Sequence, residues 1–572
     1  MIKKLLAPSP LPYDFHEWQQ QPFAVRAQWL CQAWALQGFG APPVVYLLYL
    51  LKIAFFVWMW GWFASFSGDL GGWSTVGAWW YRPEALLKAM AWSMLFEGLG
   101  LSAGSGPLTA RYAPPIGGAL YFLRPGTIKL PLSHRLPFFG RDQRNWLDVA
   151  LYLAHILQLV RILTAPAVTP AILWPTIPLL LLLGLNDRAA FLASRPEHYL
   201  IGLTCFLFPA DSLAGAKLVW LGIWFWAATS KLNHHFPSVI TVMLSNSGLI
   251  RSTWLRRRLY RHFPDDLRPS RLATTLAHAG TVTEYLFPLL LLFGGLSTGR
   301  IFGLASPITL LGLLLMTGFH AFITSNFPMA VPLEWNVMMV YGGYLLFGYH
   351  AGVWAFSLSS PWLAAALFLA LVVVPAAGNL WPGWISFLLG MRFYAGNWVY
   401  SIWLFRDEAE EAIARQVTTT SPLLPTQLKN MYDPDTITSL LHKVIAFRLM
   451  HLHGRALHEL LPQAVDDIDR YTWRDGELVA GVVAGWNFGE GFLHNECLLA
   501  ALQKRCNWRS GDLRCIFVDP QPLGSTDLSW RIVDAHDGLL GTGQIAVADL
   551  LERQPWPELA PLRTPGHRVS SN

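Results

Sequence analysis

Residues 44–66 read VVYLLYLLKIAFFVWMWGWFASF, twenty-three residues with a single charge, Lys52. A helix needs about 20 consecutive apolar residues to cross a bilayer. In lipid a helix satisfies its own backbone amides, which an isolated extended segment does not. The stretch therefore predicts a transmembrane helix. Further apolar runs at 83–102, 146–165, 170–186, 196–210, 211–232, 271–298, 301–319, 335–356 and 361–380 repeat the pattern. The expectation is a polytopic α-helical membrane protein of about ten spans with a soluble C-terminal α+β domain.

Composition points the same way. Of 572 residues, 53% are hydrophobic and only 14% charged, against about 25% charged in an average soluble protein. The mean hydropathy is +0.35. A soluble fold this apolar would expose adhesive surface, whereas a bilayer solvates the outer faces of helices. The 28 tryptophans suit the membrane–water interface, because the ring is apolar and its N–H polar. The net charge of +6 comes from basic loops between apolar runs, without a recognition motif, so no nucleic-acid partner is expected. Cys31, Cys205, Cys497, Cys506 and Cys515 form no CxxC pair, so neither a metal site nor a disulfide framework is expected. The opening MIKKLLAPSPLPYDF lacks the apolar core of a signal peptide.

Charge in the loops sets the topology. With Lys3 and Lys4 in the cytoplasm, three basic loops fall on the same side: Arg111 to Arg144, Arg188 with Arg195, and Arg251 to Arg271. That is the positive-inside pattern, with Arg300 as its exception. It predicts a multi-pass protein of the inner (plasma) membrane with a cytoplasmic C-terminal domain. Residues 1–43 form an N-terminal segment, in which 14–37 reads either as an interfacial helix or as a loop and a short soluble helix. The transmembrane domain covers 44–380. Residues 381–425 are read as an interfacial or re-entrant helix over 384–405 followed by a linker; were that helix to span, the C-terminal domain would lie outside. The soluble domain covers 426–555, with helix over 436–462 and 494–506. Strands are read at 476–486 (GELVAGVVAGW), LRCIFVDP, LSWRIVDA and GQIAVADL. A tail covers 556–572.

Ionisable groups inside apolar runs are costly and mark candidate sites. Lys52, His155 and Glu284 lie at comparable depth and are expected to meet as a polar site; the alternative is a structural charge pair, or Lys52 reaching for the interface. His278 shares a helical face with Thr281 and Tyr285. In 225–237 (FWAATSKLNHHFP), Lys231 ends a run and His234 and His235 follow; a lysine withdrawn from water can act as a base. The polar stretch 318–336 carries His320, Asn326 and Glu334 and reads as a re-entrant loop or an ordinary connection. In the C-terminal part, 485–496 (GWNFGEGFLHNE) reads as a turn and a helix start. Phosphate-loop, dinucleotide, nucleophile-elbow and HExxH motifs are all missing, and no cofactor is expected.

The stretches YFLRPGTIKLPL (121–132), SKLNHHFPSVITVMLSNS (230–247), FHAFITSNFPMAVPLEWNV (319–337), FLLGMRFYAGNW (387–398) and WNFGEGFLHNE (486–496) occur in this order. Together the chain resembles, over nearly its whole length, a bacterial transmembrane family, domain of unknown function 3556. Mycobacterial members are implied to work in the cell envelope, one as a polar growth factor beside the exporter of trehalose monomycolate. The resemblance thus implies handling of an envelope lipid or glycolipid and a contact with a membrane transporter or the growth machinery. Separately, Ala228-Thr229-Ser230-Lys231-Leu232 is similar to the Ala/Gly-x-x-Lys-Leu helix end of the HTTM superfamily, which includes vitamin K-dependent gamma-carboxylase. That similarity would place Lys231 on the catalytic lysine. The tryptophan of the following turn is absent here, where His235 and Phe236 stand instead, which departs from the carboxylase pattern.

Three functions follow. The leading one is a non-enzymatic membrane protein that binds a lipid or glycolipid within its bundle. The second is a membrane enzyme using Lys231 as base on a lipid-soluble substrate such as a quinone. The third is a secondary transporter built around Lys52, His155 and Glu284, although no repeated halves with broken helices are found.

Overall fold

A computed structural model describes residues 2–102, 121–296, 306–326, 332–393 and 395–557. Arg111, Arg300, residues 327–331 of the 318–336 stretch and most of the 556–572 tail lie outside these residues.

Helix α1 (Phe23–Gln37) precedes α2 (Pro43–Ala64), which leaves Leu47, Leu50, Leu51, Phe55, Trp58 and Trp62 exposed. A run of large apolar side chains pointing outward is stable only in lipid. Helix α3 (Pro83–Gly98) is the opposite case: every residue from Ala85 to Gly98 is buried. Helix α4 (Trp146–Thr164) starts with a capping box, in which the Asn145 side chain accepts from the Leu147 and Asp148 amides and Asp148 accepts from the Asn145 amide. Next come α5 (Thr176–Asn186), α6 (Ser212–Thr229), α7 (Phe236–Asn246) and α8 (Thr253–Arg258). A small hairpin, β1 (Tyr260–His262) with β2 (Asp266–Pro269), leads into α9 (Arg271–Gly294). Then follow α10 (Pro307–Ser325), α11 (Leu333–Gly343) and α12 (Pro361–Leu380).

Among the described residues, five helices are long and apolar enough to span: α2, α4, α9, α10 and α12. The expected ten is therefore corrected. Residues 170–186 break at Trp174–Pro175 into a short piece and α5. Residues 196–229 form a pair bent by 117°, which adds at most a sixth span. Helix α11 passes into a wide turn at Tyr344. Apolar runs that end at prolines or wide turns fill the inside of the bundle rather than crossing it whole.

The basic segments share one face with the C-terminal unit. Arg26 pairs with Asp469, Arg505 with Asp142 (3.2 Å) and Arg268 with Glu552 (2.8 Å). Arg144 donates to the Ala484 carbonyl at 2.8 Å, and Arg124 to that of Thr419 at 2.8 Å. Helix α1 packs between α7 and the C-terminal unit, with Trp34 donating to the Val242 carbonyl. Residues 14–37, read as an interfacial helix or as a loop and a short soluble helix, thus hold a helix packed on both sides.

The C-terminal unit is built on one antiparallel sheet, whose strand β3 (Tyr400–Arg406) is followed by α13 (Pro434–Met450) and α14 (Leu452–Ala464). Then come β4 (Tyr471–Asp475), α15 (Gly476–Ala484), α16 (Glu496–Cys506), β5 (Leu513–Val518), β6 (Asp527–Asp534) and β7 (Gly538–Ala546). The sheet order is β4-β3-β5-β6-β7. Two expectations change here. Residues 384–405 do not form a membrane helix: their end is β3, which pairs with both β4 and β5 and is buried from Tyr400 to Phe405. The run looked like a membrane segment because a strand enclosed on both faces is apolar throughout. The boundary at 425 also cuts across this sheet. Residues 476–484 are a helix rather than a strand, capped by Asp475, whose carboxylate accepts from the Glu477 amide at 2.8 Å.

Candidate functional site

The sequence WFWAATSK (224–231) brings Trp224, Ala227 and Lys231 along one side of α6 and its end, by i, i+3 and i+7 spacing. They face an apolar cavity of about 150 Å³ enclosed by α6, α7, α9, α10 and α11. Lys231 donates to Glu284 of α9, and both side chains are 4% exposed. The Phe236 and Phe319 rings lie 5.4 and 5.8 Å from the ammonium. An ion pair in such surroundings holds only while both partners stay, because neither charge finds water.

His320 of α10 lies on the cavity wall. Its Nε2 accepts from Trp224 Nε1 at 3.1 Å, so the Nδ1–H donates to Asn336 Oδ1 at 2.7 Å. Both ring nitrogens are engaged, and His320 acts as a fixed strut. Two polar atoms on the wall have no hydrogen-bond partner among the described residues: the donor Trp335 Nε1 and the acceptor Asn326 Oδ1. The remaining wall includes Val239, Ile240, Met243, Gly280, Ile323 and Phe393. Leu276 and Phe322 line the same cavity and are 38% and 40% exposed on the outer surface of the bundle. The cavity thus reaches the surface at Leu276 of α9 and Phe322 of α10.

Four sequence candidates therefore converge: Lys231, Glu284, His320 and Asn326. The others do not. Lys52 is buried and donates to the Ser102 carbonyl at 3.1 Å, beside the Tyr49 ring. His155 is buried against Ser194 Oγ at 3.3 Å. The expected meeting of Lys52, His155 and Glu284 is thus corrected: α2, α4 and α9 give each of them a different partner. His234 and His278 are exposed. The seam through His278 is incomplete as well, since Thr281 bonds within α9 and Tyr285 bonds Thr229. His235 is buried and its Nε2 donates to Gln521 at 2.8 Å, tying the end of α6 to the C-terminal unit; burial lowers its pKa to about 4. Glu334 is buried in the first turn of α11 beside Trp335. In the 485–496 stretch, Asn495 caps α16 by accepting from the Cys497 amide. Among the described residues no group of three or more His, Cys, Asp or Glu is arranged to hold a metal.

Sequence reasoning passed over the aromatic walls and a second buried network. Arg195 donates to Glu197 at 2.6 Å and faces Glu97 at 3.9 Å, and its guanidinium lies over Phe393 on the cavity wall. The signal was present in Arg195-Pro196-Glu197-His198, three ionisable groups around a proline, which read instead as a basic loop.

A family model described as a transmembrane protein of unknown function matches residues 5–565. No curated protein and no solved structure matches the chain.

Proposed function

The chain belongs to this transmembrane family of unknown function, and from that premise we propose that it binds a lipid-soluble molecule of the membrane it spans, without catalysing a reaction on it. The observation that carries the reading is the cavity itself: apolar walls, a mouth at Leu276 and Phe322, and the Lys231–Glu284 pair inside. Leu276 lies about 8 Å along α9 from Arg271 and Glu284 about 20 Å, by helix rise. A molecule entering from the leaflet beside the basic face would reach the pair with its deepest group. The space takes a ring or a chain end carrying an oxygen function, and Trp335 Nε1 and Asn326 Oδ1 offer one donor and one acceptor. A sugar head group would need more room and more polar partners, so a glycolipid would enter by its chain. Lys231 Nζ is the donor in its bond to Glu284, which suits recognition of an acceptor better than abstraction of a proton. The reading extends to a bacterial envelope membrane, with the C-terminal unit on the cytoplasmic side beside the basic loops and available to a membrane transporter partner.

The test is native mass spectrometry of the protein in nanodiscs, with extraction of what stays bound. Gly280 faces the cavity, and a Cβ there meets only Phe236 at 3.8 Å, so Gly280→Leu fills the space without a backbone clash. The expected result is one lipid-soluble species retained by the wild type and lost in Gly280→Leu. Equal retention by both proteins, or bulk phospholipid alone, overturns the reading.

A further inference from the structure

A second cavity, of about 410 Å³, lies at the basic end of the bundle, where the end of α1, the start of α2 and the end of α7 meet the segment running into α8. Arg256 is built into its wall: Nε donates to the Ile250 carbonyl at 2.8 Å, Nη1 to Leu36 at 2.5 Å and Nη2 to Ser247 at 3.0 Å. Arg251 also lines it and is exposed, with one bond, from Nε to the Gly248 carbonyl at 3.0 Å. Two guanidiniums thus share one hollow. Among the described residues none of Arg251, Arg256, Arg257 and Arg258 is paired with a carboxylate. Burial first, and then the charge of Arg251, push Arg256 below its usual value, with Tyr260 and Tyr46 acting the other way.

Exposed apolar side chains flank the lining residues Gly248 and Arg251 in sequence. Leu249 is 81% exposed and Trp254 61%, with Arg258 stacked 4.4 Å over the Trp254 ring. Tyr46 of α2 lines the hollow, and the exposed Leu47, Leu50 and Leu51 continue from it along the lipid-facing side of α2. Unpaired cations above an apolar, outward-facing track match a molecule with an anionic head and hydrocarbon tails. We infer that this hollow is a binding site for an anionic phospholipid, with its phosphate at Arg251 and its acyl chains along Leu47, Leu50 and Leu51. The site is separate from the cavity at Lys231 and does not depend on the function proposed for it.

The experiment uses the delipidated full-length protein titrated with phosphatidylglycerol and with phosphatidylcholine, bound lipid being counted by native mass spectrometry. The wild type is expected to prefer phosphatidylglycerol. Arg251→Gln is expected to lose roughly fivefold of that preference, and Arg251→Lys, which keeps the charge, to retain most of it. Arg251 makes a single carbonyl contact, so these variants are expected to unfold at the wild-type temperature, which the same samples report. Gly280→Leu is expected to leave the preference untouched. Equal binding of both lipids by the wild type overturns the proposal, as does a preference that survives Arg251→Gln. Displacement of the bound lipid by glycerol phosphate alone would overturn the lipid as occupant in favour of a free phosphate ester.

Discussion

Lys231, just past the end of α6, and Glu284, midway along α9, are 53 residues apart in sequence and close one ion pair inside the bundle. Removing one partner leaves the other buried without a counter-charge, which costs about 3–5 kcal/mol, whereas replacing both with packed apolar groups is often neutral. Lys231→Met is thus expected to destabilise the protein by about that amount, and Lys231→Met with Glu284→Leu to recover most of it. Thermal unfolding in detergent reads both, and a single variant as stable as the wild type would refute the pairing argument.

Both members of this pair could be found by reading the sequence, because a lysine at the end of an apolar run and a glutamate inside another are conspicuous. That they are partners could not, since depth along a helix does not say which faces meet. The same limit misplaced Lys52 and His155, which are buried but bonded elsewhere. The membrane class and α2 follow directly from hydropathy. Helix number does not, because α3 sits in an apolar run yet carries Glu84, Lys88 and Glu97 and is enclosed by protein, and prolines cut other runs short. Strand β3 misled for the converse reason: a central strand without polar alternation carries no period to distinguish it from a membrane segment.

Strand β3 has both of its partners, β4 and β5, later in the chain than residue 419. A chain ending there would leave the Tyr400–Phe405 run with unpaired edges on both sides, a template for aggregation. Truncation after residue 419 is expected to yield aggregate in size-exclusion chromatography, even though every membrane helix is intact. A monodisperse product would show that the bundle and the C-terminal unit fold independently.

His235, His451, His458 and His494 are buried, and burial pushes each pKa down from 6.5, to about 4 for His235, His458 and His494 and about 3 for His451. The unfolded chain therefore binds more protons than the folded one between about pH 6.5 and 4. Stability is fully present above 6.5 and is lost as pH falls through that window. The unfolding temperature is expected to drop steeply from pH 7 to pH 4.5. His451 Nδ1 donates to the Phe447 carbonyl at 2.7 Å, so His451→Gln keeps a donor there while removing one titrating group, and it is expected to make the drop shallower. An unchanged slope would show that His451 does not contribute.

Lys88, in the buried part of α3, separates structural charge from ligand-binding charge. Its ammonium donates to the carbonyls of Phe63 at 3.1 Å, Leu163 at 3.0 Å and Ala165 at 3.1 Å. Those groups lie at the ends of α2 and α4, where carbonyls run short of partners within the helix. One side chain thus closes two helix ends, and Lys88→Met leaves the buried Leu163 and Ala165 carbonyls unmatched, while the Phe63 carbonyl keeps the Phe66 amide at 3.3 Å. At about 1–3 kcal/mol for each unsatisfied group, the variant is expected to lose roughly 2 kcal/mol or more. Lipid retention per folded molecule should stay at the wild-type level, because Lys88 does not line the cavity at Lys231. Stability measured together with bound lipid decides the matter: a Lys88→Met protein that unfolds at the wild-type temperature yet releases its lipid would reverse the assignment of roles.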